Sequence, residues 1–294
     1  MIDKHDQLRR QLPIHENRFG EIAAIPADVD LRERLHALLL RQRMLPAQLD
    51  LMGQGSRSSN AFILRGGWAY SACLLPNGRR QIINFHLPGE FLGLHTLLLP
   101  QCDRSYVSLT TVAVCEVPRR VFIELVRDDP EVAALLACYL SGQCATAAAQ
   151  LANVGRRNAK ERVAYLLCDI ARRLSTTDSP EQLDAACPIT QEHLADAAGL
   201  SVVYVNRILQ NFSDQGFLSL RFGRLAIFDF PSLAEMAESD LGAVPASRYA
   251  EPCHPDRARS LLRDLPDDVH RLVALTGRQP FGHLKPLTSR ASTG

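Results

Sequence analysis

The side chains with the most directed chemistry stand close together: Val202, Val203, Tyr204, Asn206, Arg207 and Gln210. Arginine forks onto guanine O6 and N7, asparagine or glutamine pairs with adenine, and an exposed valine meets a thymine methyl, so the group has the repertoire of major-groove readout. That chemistry needs one helical face. At about 100° per residue Val203, Asn206, Arg207 and Gln210 share such a face. Val205, Ile208, Leu209 and Phe212 fall at i, i+3, i+4 and i+7 and form a core-directed stripe on the other side. Val202 and Tyr204 lie near the N-terminal end, which enters a groove first.

The flanking residues define how that helix is held. Thr190 is a good N-cap for a preceding helix, with Gln191 and Glu192 in its first turn and Leu194, Ala195 and Ala198 as a small apolar face. Gly199 then suits the left-handed residue that stops a helix, and Ser201 caps the reading helix after a tight turn. Gly216 ends it. Residues 217–220 and 225–228 read as two strands joined through Arg221-Phe222-Gly223-Arg224, whose arginines reach phosphates as a wing. An ordinary helical hairpin with a solvated polar face explains the stripe, but not the exposed valine together with caps, turn and wing.

A chain of 294 residues has room for about two domains. With 46% apolar and 22% charged residues it is of ordinary globular composition. The net charge of +1 is not that of a non-specific nucleic-acid coat, so binding would rest on local arginines and a paired footprint. Residues 1–13 lack an apolar secretory core and no apolar window is long enough for a bilayer, so a cytoplasmic, non-membrane protein is expected. Eight cysteines without a C-x-x-C pair argue against a disulfide framework and a zinc ribbon. Neither G-x-S-x-G, a Walker loop nor H-E-x-x-H is present, and an enzyme is not expected.

Upstream, Asp30 could cap a short helix running to about Arg43. Residues 45–118 are short apolar runs divided by glycine turns, the punctuation of an antiparallel roll or jelly-roll, with Asn77-Gly78 marking a hairpin between 68–75 and 80–87. Helical pattern starts near Arg119, breaks at Asp128-Asp129-Pro130 and resumes over 131–154. There Ala133, Ala137, Leu140, Cys144, Ala147, Leu151 and Val154 alternate by three and four in a seam of mostly small residues, read as a dimer interface, with packing on the chain's own β-domain as the alternative. Gly155-Arg156-Arg157 reads as a hinge. Asn158 caps a helix over Ala159–Leu174 with Val163, Leu166, Leu167 and Ile170 inward, and 175–188 reads as a loop. The proline-rich segment 242–294 reads as a loosely attached tail, whose Cys253, His254, His270 and His283 match no metal spacing.

This order of parts, over roughly 30–231, resembles the Crp/Fnr family of bacterial transcription regulators. The most specific pieces are Thr190-Gln191-Glu192-His193-Leu194-Ala195 and Gly199-Leu200-Ser201-Val202-Val203-Tyr204-Val205-Asn206-Arg207-Ile208-Leu209. Leu87-Pro88-Gly89-Glu90-Phe91-Leu92-Gly93 and Asn158-Ala159-Lys160-Glu161-Arg162 add to them. The resemblance implies an α+β protein: an N-terminal arm over 1–29, a cyclic-nucleotide-binding-like β-roll over 30–130, and a dimerisation helix and hinge over 131–157. A winged helix-turn-helix over 158–235 and a tail over 236–294 complete it. It also implies a homodimer on a pseudo-palindromic duplex DNA operator, with RNA polymerase as a further partner.

The same resemblance locates an effector pocket at Gly89, Glu90, Leu94, His95, Arg104 and Ser105. In relatives that bind cyclic AMP an Arg-Ser pair takes the cyclic phosphate and a glutamate the ribose. Arg104-Ser105 stands in place of the pair, but Leu94 replaces the glutamate, so cyclic AMP is not expected, and the alternative for Arg104 is a surface arginine paired with Asp103 or Glu90. In the oxygen-sensing branch an iron–sulfur cluster is held by N-terminal cysteines plus one in the roll. Cys115 resembles the latter, yet no cysteine precedes Cys73, so no cluster is expected and Cys115 reads as strand filling. His86 and His95 are the histidines open to haem ligation. Val202 and Val203 replace the arginine and glutamate of the cyclic-AMP type and only Arg207 is shared, so the operator should differ. A competing reading is a cyclic-nucleotide-type sensor whose output is protein contact rather than DNA.

Overall fold

The computed structural model describes residues 41–57, 59–128, 130–175 and 182–238. Its first part is built from β1 (Gln42–Leu45), β2 (Asp50–Met52), β3 (Asn60–Gly66), β4 (Ala69–Leu74), β5 (Arg80–His86), β6 (Phe91–Leu92), β7 (Ser105–Ser108) and β8 (Val112–Pro118). They form two antiparallel four-stranded sheets in the orders β1-β8-β3-β6 and β2-β7-β4-β5. Met52, Leu64, Leu92, Tyr106 and Val114 fill the space between them. The hairpin at Asn77-Gly78 is present: Leu74 pairs with Arg80, Gly78 has φ 79°, and its N–H donates to the Leu75 carbonyl at 2.9 Å. One sequence expectation fails here. Instead of ending a helix, Arg43 lies in β1, which pairs with β8 from Gln42↔Cys115 to Leu45↔Val112. A ladder to a distant strand outweighs weak local helical pattern; the rest of that helix lies outside the described residues.

Helix α1 (Arg119–Asp128) leads into α2 (Pro130–Arg156), with proline where its missing N–H costs nothing. The first half of α2 packs on the roll. The Tyr139 ring meets Phe91 edge-on at 5.3 Å, and its hydroxyl donates to the Phe91 carbonyl at 3.3 Å. The seam is uneven: Cys144, Ala147 and Leu151 are exposed on this single chain, while Leu140 and Val154 are half-buried. The hinge reading is corrected in part. Gly155 remains helical, and the chain breaks only at Arg157-Asn158, where the Arg157 guanidinium stacks 4.2 Å over Tyr165 and its carbonyl accepts from Arg162 Nε at 2.8 Å. Residue type suggested a break one residue earlier than the one the backbone makes.

Asn158 caps α3 (Ala159–Leu174) in a full capping box with Glu161, and the expected stripe Val163, Leu166, Leu167 and Ile170 is buried. Then come β9 (Leu183–Ala186), α4 (Gln191–Ala198), α5 (Val202–Asp214), β10 (Leu218–Arg221), β11 (Arg224–Ile227) and α6 (Phe230–Glu238). Strand β9 corrects the loop read over 175–188; Leu-Asp-Ala-Ala has no strand propensity of its own and is ordered by antiparallel pairing to β11. The segment 242–294 lies outside the described residues. No helix among the described residues is long and apolar enough to cross a membrane. One apolar core runs from Tyr70, Ile82 and Phe85 of the roll into Val163, Leu194, Ile208 and Phe212 of the C-terminal unit, so the two parts share packing.

Candidate nucleic-acid interface

Thr190 and Ser201 cap α4 and α5 as their sequence indicates, accepting from the backbone N–H of His193 and Tyr204. Gly199 between them has φ 67°, a conformation that strains any residue with a Cβ. Val205, Ile208, Leu209 and Phe212 are buried, which turns Val202, Val203, Tyr204, Asn206, Arg207 and Gln210 outward. Val203 is 65% exposed on a helix whose apolar stripe lies elsewhere.

Two of these side chains are already oriented. Asn206 Nδ2 donates to Gln191 Oε1 of α4 at 2.8 Å, and Gln210 Nε2 donates to Asp214 at 2.9 Å. An asparagine amide that has spent one N–H keeps a second N–H to donate to adenine N7 and an oxygen to accept from the adenine N6 amino group. Gln191 therefore acts on this face by positioning Asn206, a role that spacing alone did not show.

In the wing, Leu218↔Ile227 to Arg221↔Arg224 is an unbroken ladder, so both arginines belong to strands and only Phe222-Gly223 forms the loop, shorter than sequence suggested. Positive φ at both loop residues is what permits so tight a reversal. Arg221 is exposed; Arg224 is held beside Asp184 of β9 at 2.9 Å in an exposed ion pair of little strength. A phosphate can replace that carboxylate at small cost.

The back of the helix-turn-helix is fastened to the rest of the chain. The C-terminal carbonyls of α4, unpaired within the helix, accept from Gln81 (to Ala197, 3.1 Å), Gln150 (to Ala197, 3.1 Å) and Arg162 (to Ala198, 3.3 Å), contributed by β5, α2 and α3. Arg80 of β5 also reaches Asp196 at 2.7 Å. These anchors were not foreseen.

His193 fills the third position of the α4 cap: its Nδ1 accepts from the Thr190 N–H at 3.2 Å. Burial, aided by the Arg80 guanidinium, holds its pKa below the ordinary value. The unfolded chain then takes up a proton near pH 6.5 that the folded chain refuses, so the contribution to stability is complete above that pH and is lost as pH falls toward the folded value. We expect His193→Gln, which keeps the capping box, to flatten the fall in melting temperature between about pH 6.5 and 5. An unchanged pH profile would refute the assignment.

The six effector-pocket residues are engaged with different partners. Leu94 is buried in the roll core; Glu90 accepts from Arg173 of α3 at 2.7 Å and lies 3.2 Å from His86 Nδ1. Arg104 grips its neighbour Asp103 through Nε and NH2, at 3.1 and 2.6 Å, and His95 Nε2 reaches the same carboxylate at 2.9 Å. Burial opposes ionisation of Asp103, but these hydrogen bonds prevail and its pKa falls to about 2. Ser105 Oγ accepts from the Gln54 N–H at 2.9 Å. The Arg-Ser pair is thus satisfied internally, with Asp103 as the partner of Arg104, while Gly89 supplies a left-handed turn at φ 97°. Cys115 is fully buried in β8.

A double-sheet roll packed on a long helix and on a capped helix-turn-helix with a wing defines a DNA-binding protein of winged-helix type. Residues 42–129 match the cyclic nucleotide-binding domain and 161–236 the Crp-like helix-turn-helix domain. The chain is 30% identical over 217 residues to the nitrogen fixation regulation protein FixK of Azorhizobium caulinodans, covering 72% of this chain and 86% of that one. It is 22% identical over 204 residues to an anaerobic regulatory protein of Haemophilus influenzae, 69% and 79% of the two chains. The solved structure of FixK2 from Bradyrhizobium japonicum superposes with a TM-score of 0.61 at 26% identity, over 66% of this chain and 96% of that one. The chain belongs to the Crp/Fnr family: it is a transcription regulator with a helix-turn-helix DNA-binding domain, not an enzyme.

Proposed function

We propose that this regulator acts as a homodimer on a pseudo-palindromic operator, each protomer reading one half-site with Val203, Asn206, Arg207 and Gln210 while Thr190, Gln191, Arg221 and Arg224 approach phosphates. The observation that carries this reading is the outward face of α5, where Asn206 is pre-set by Gln191 and the neighbouring Val203 stands in solvent. Twofold symmetry requires the two α5 helices to sit about 34 Å apart, one turn of DNA. The exposed part of the α2 seam supports the dimer, since Leu151 is 75% exposed among small residues that let two backbones approach. Replacing Leu151 by aspartate is expected to shift sedimentation from dimer to monomer and to weaken operator binding at least tenfold; a dimer that survives it would place the interface elsewhere.

The roll supplies the signal, carried to the reading helices through Glu90–Arg173 and Arg80–Asp196, and RNA polymerase is the partner at the promoter, in the cytoplasm. Selection of bound DNA from a random pool, with protein purified with and without oxygen, tests specificity, symmetry and redox dependence together. The oxygen comparison follows from the similarity to an anaerobic regulatory protein. Enrichment of no common sequence under either condition would defeat the proposal. The protein-contact reading would need Arg104 to leave Asp103 for a ligand phosphate; calorimetry with cyclic nucleotides on the purified protein tests it, and absence of heat would leave it without support.

A further inference from the structure

At the wing tip Phe222 has φ 53° and Gly223 φ 70°, both left-handed, in the two-residue loop that closes the Arg221↔Arg224 pair. Such a turn favours asparagine followed by glycine. A bulky side chain at positive φ is a genuine outlier, and strain of this kind is kept where it serves a function. Phe222 is also 101% exposed. Within the described residues its ring gains no packing to offset either the strain or the exposed apolar surface.

The tip's position shows what its partner is. The Cys187 N–H donates to the Gly223 carbonyl at 2.8 Å, and Cys187 stands three positions before Thr190, the cap of α4. The next residue, Gln191, holds Asn206 on the reading face. Cys187, the tip's partner, and Gln191, the reading face's partner, are four residues apart, at most about 14 Å of extended chain, so the tip stands close to the side from which α5 meets DNA. Arg221 and Arg224 flank the ring, which suits a polyanion.

We propose that Phe222 enters the minor groove beside the major groove read by α5, laying its ring against deoxyribose and base edges. This rests on the reading of α5 given above. Apolar side chains are used in minor grooves as wedges, and the ring has no group to accept the guanine 2-amino hydrogen that G·C pairs present there. The contact therefore favours A·T pairs at the flank of each half-site.

Full-length protein is titrated onto its selected operator with A·T or G·C flanks at several salt concentrations, as wild type, Phe222→Asn and Arg221→Ala. Phe222→Asn relieves the strained turn, so the free protein should melt at the same or a higher temperature. Its affinity for the A·T-flanked site should fall about tenfold, the equivalent of losing about 1.4 kcal/mol of apolar contact. The salt slope should not change, because phenylalanine releases no counterions, whereas Arg221→Ala lowers it. Discrimination between the flanks should vanish. Wild-type affinity and flank preference in Phe222→Asn would overturn the proposal; so would normal DNA binding combined with lost transcription by RNA polymerase, which would make the ring a protein contact. If the wild type itself selects no operator, it is the reading of α5 that fails first, while selective wild type with an indifferent Phe222→Asn sinks the wing contact alone.

Discussion

Arg207→Ala is expected to abolish sequence selection while leaving the protein folded and still able to bind DNA weakly. Arg207 is exposed on α5 between buried Val205 and Ile208, so truncation opens no cavity and strands no buried partner. A guanidinium fork on guanine O6 and N7 contributes about 1–3 kcal/mol of discrimination. A symmetric dimer makes the contact twice, so about 2–6 kcal/mol is lost, or roughly thirty-fold to twenty-thousand-fold in preference for operator over scrambled DNA. The non-specific term rests on phosphate contacts and should change little. Fluorescence anisotropy on both duplexes separates the two, and Arg207→Lys supplies the decisive control because it keeps the charge but loses the planar fork. If the lysine variant retains full selectivity, Arg207 acts only as a charge.

Loss of Arg173 should have the largest effect on the fold. Its side chain, 11% exposed, donates to Asp169 one turn back on α3 (3.1 Å) and reaches into the roll to Glu90 (2.7 Å), Asn84 (3.2 Å) and the Phe85 carbonyl (2.5 Å). Burial penalises the charge, but the two carboxylates outweigh it and hold the guanidinium protonated well above its usual range. Removing it takes the guanidinium from both Glu90 and Asp169, and breaking a buried pair in this way costs about 3–5 kcal/mol. We therefore expect Arg173→Ala to lower the denaturation midpoint sharply and to split one unfolding transition into two, because the pair bridges the roll and the DNA-binding unit. Arg173→Met combined with Glu90→Leu should recover part of the loss, since the buried Glu90 charge goes with its partner while Asp169, 20% exposed, keeps access to water. A single, unshifted transition in Arg173→Ala would show that the shared apolar core alone joins the units.

Arg173 also illustrates what can be read from sequence. It lies three residues after Ile170 and seven after Leu166, on the apolar stripe of α3, and a charge on a buried stripe is a visible anomaly. What the stripe does not reveal is the partner, 83 positions away. The same holds for Arg80 and Asp196, 116 positions apart. The effector residues were named from a resemblance to relatives, and only for Arg104 did the sequence offer a partner, Asp103 or Glu90, of which the structure takes Asp103. Arg104 turned to the adjacent Asp103, and Glu90 to a helix of the other unit.

By itself the sequence determined the parts governed by short-range rules: the Thr190, Ser201 and Asn158 caps, the Gly199 stop, the buried stripes of α3 and α5, the hairpin at Asn77-Gly78, and with them the outward face bearing Arg207. Each depends on residues within a few positions, where dihedral preference and periodicity decide the outcome. Only the tertiary structure decided that Gln42–Leu45 and Leu183–Ala186 are strands, that Gln191 steadies Asn206, that Arg157 is packed where a hinge was read, and that Arg173 joins the roll to the helix-turn-helix unit. These arise from ladders and buried pairs whose partners are remote in the chain, and their free energy exists only once the chain has folded to bring them together.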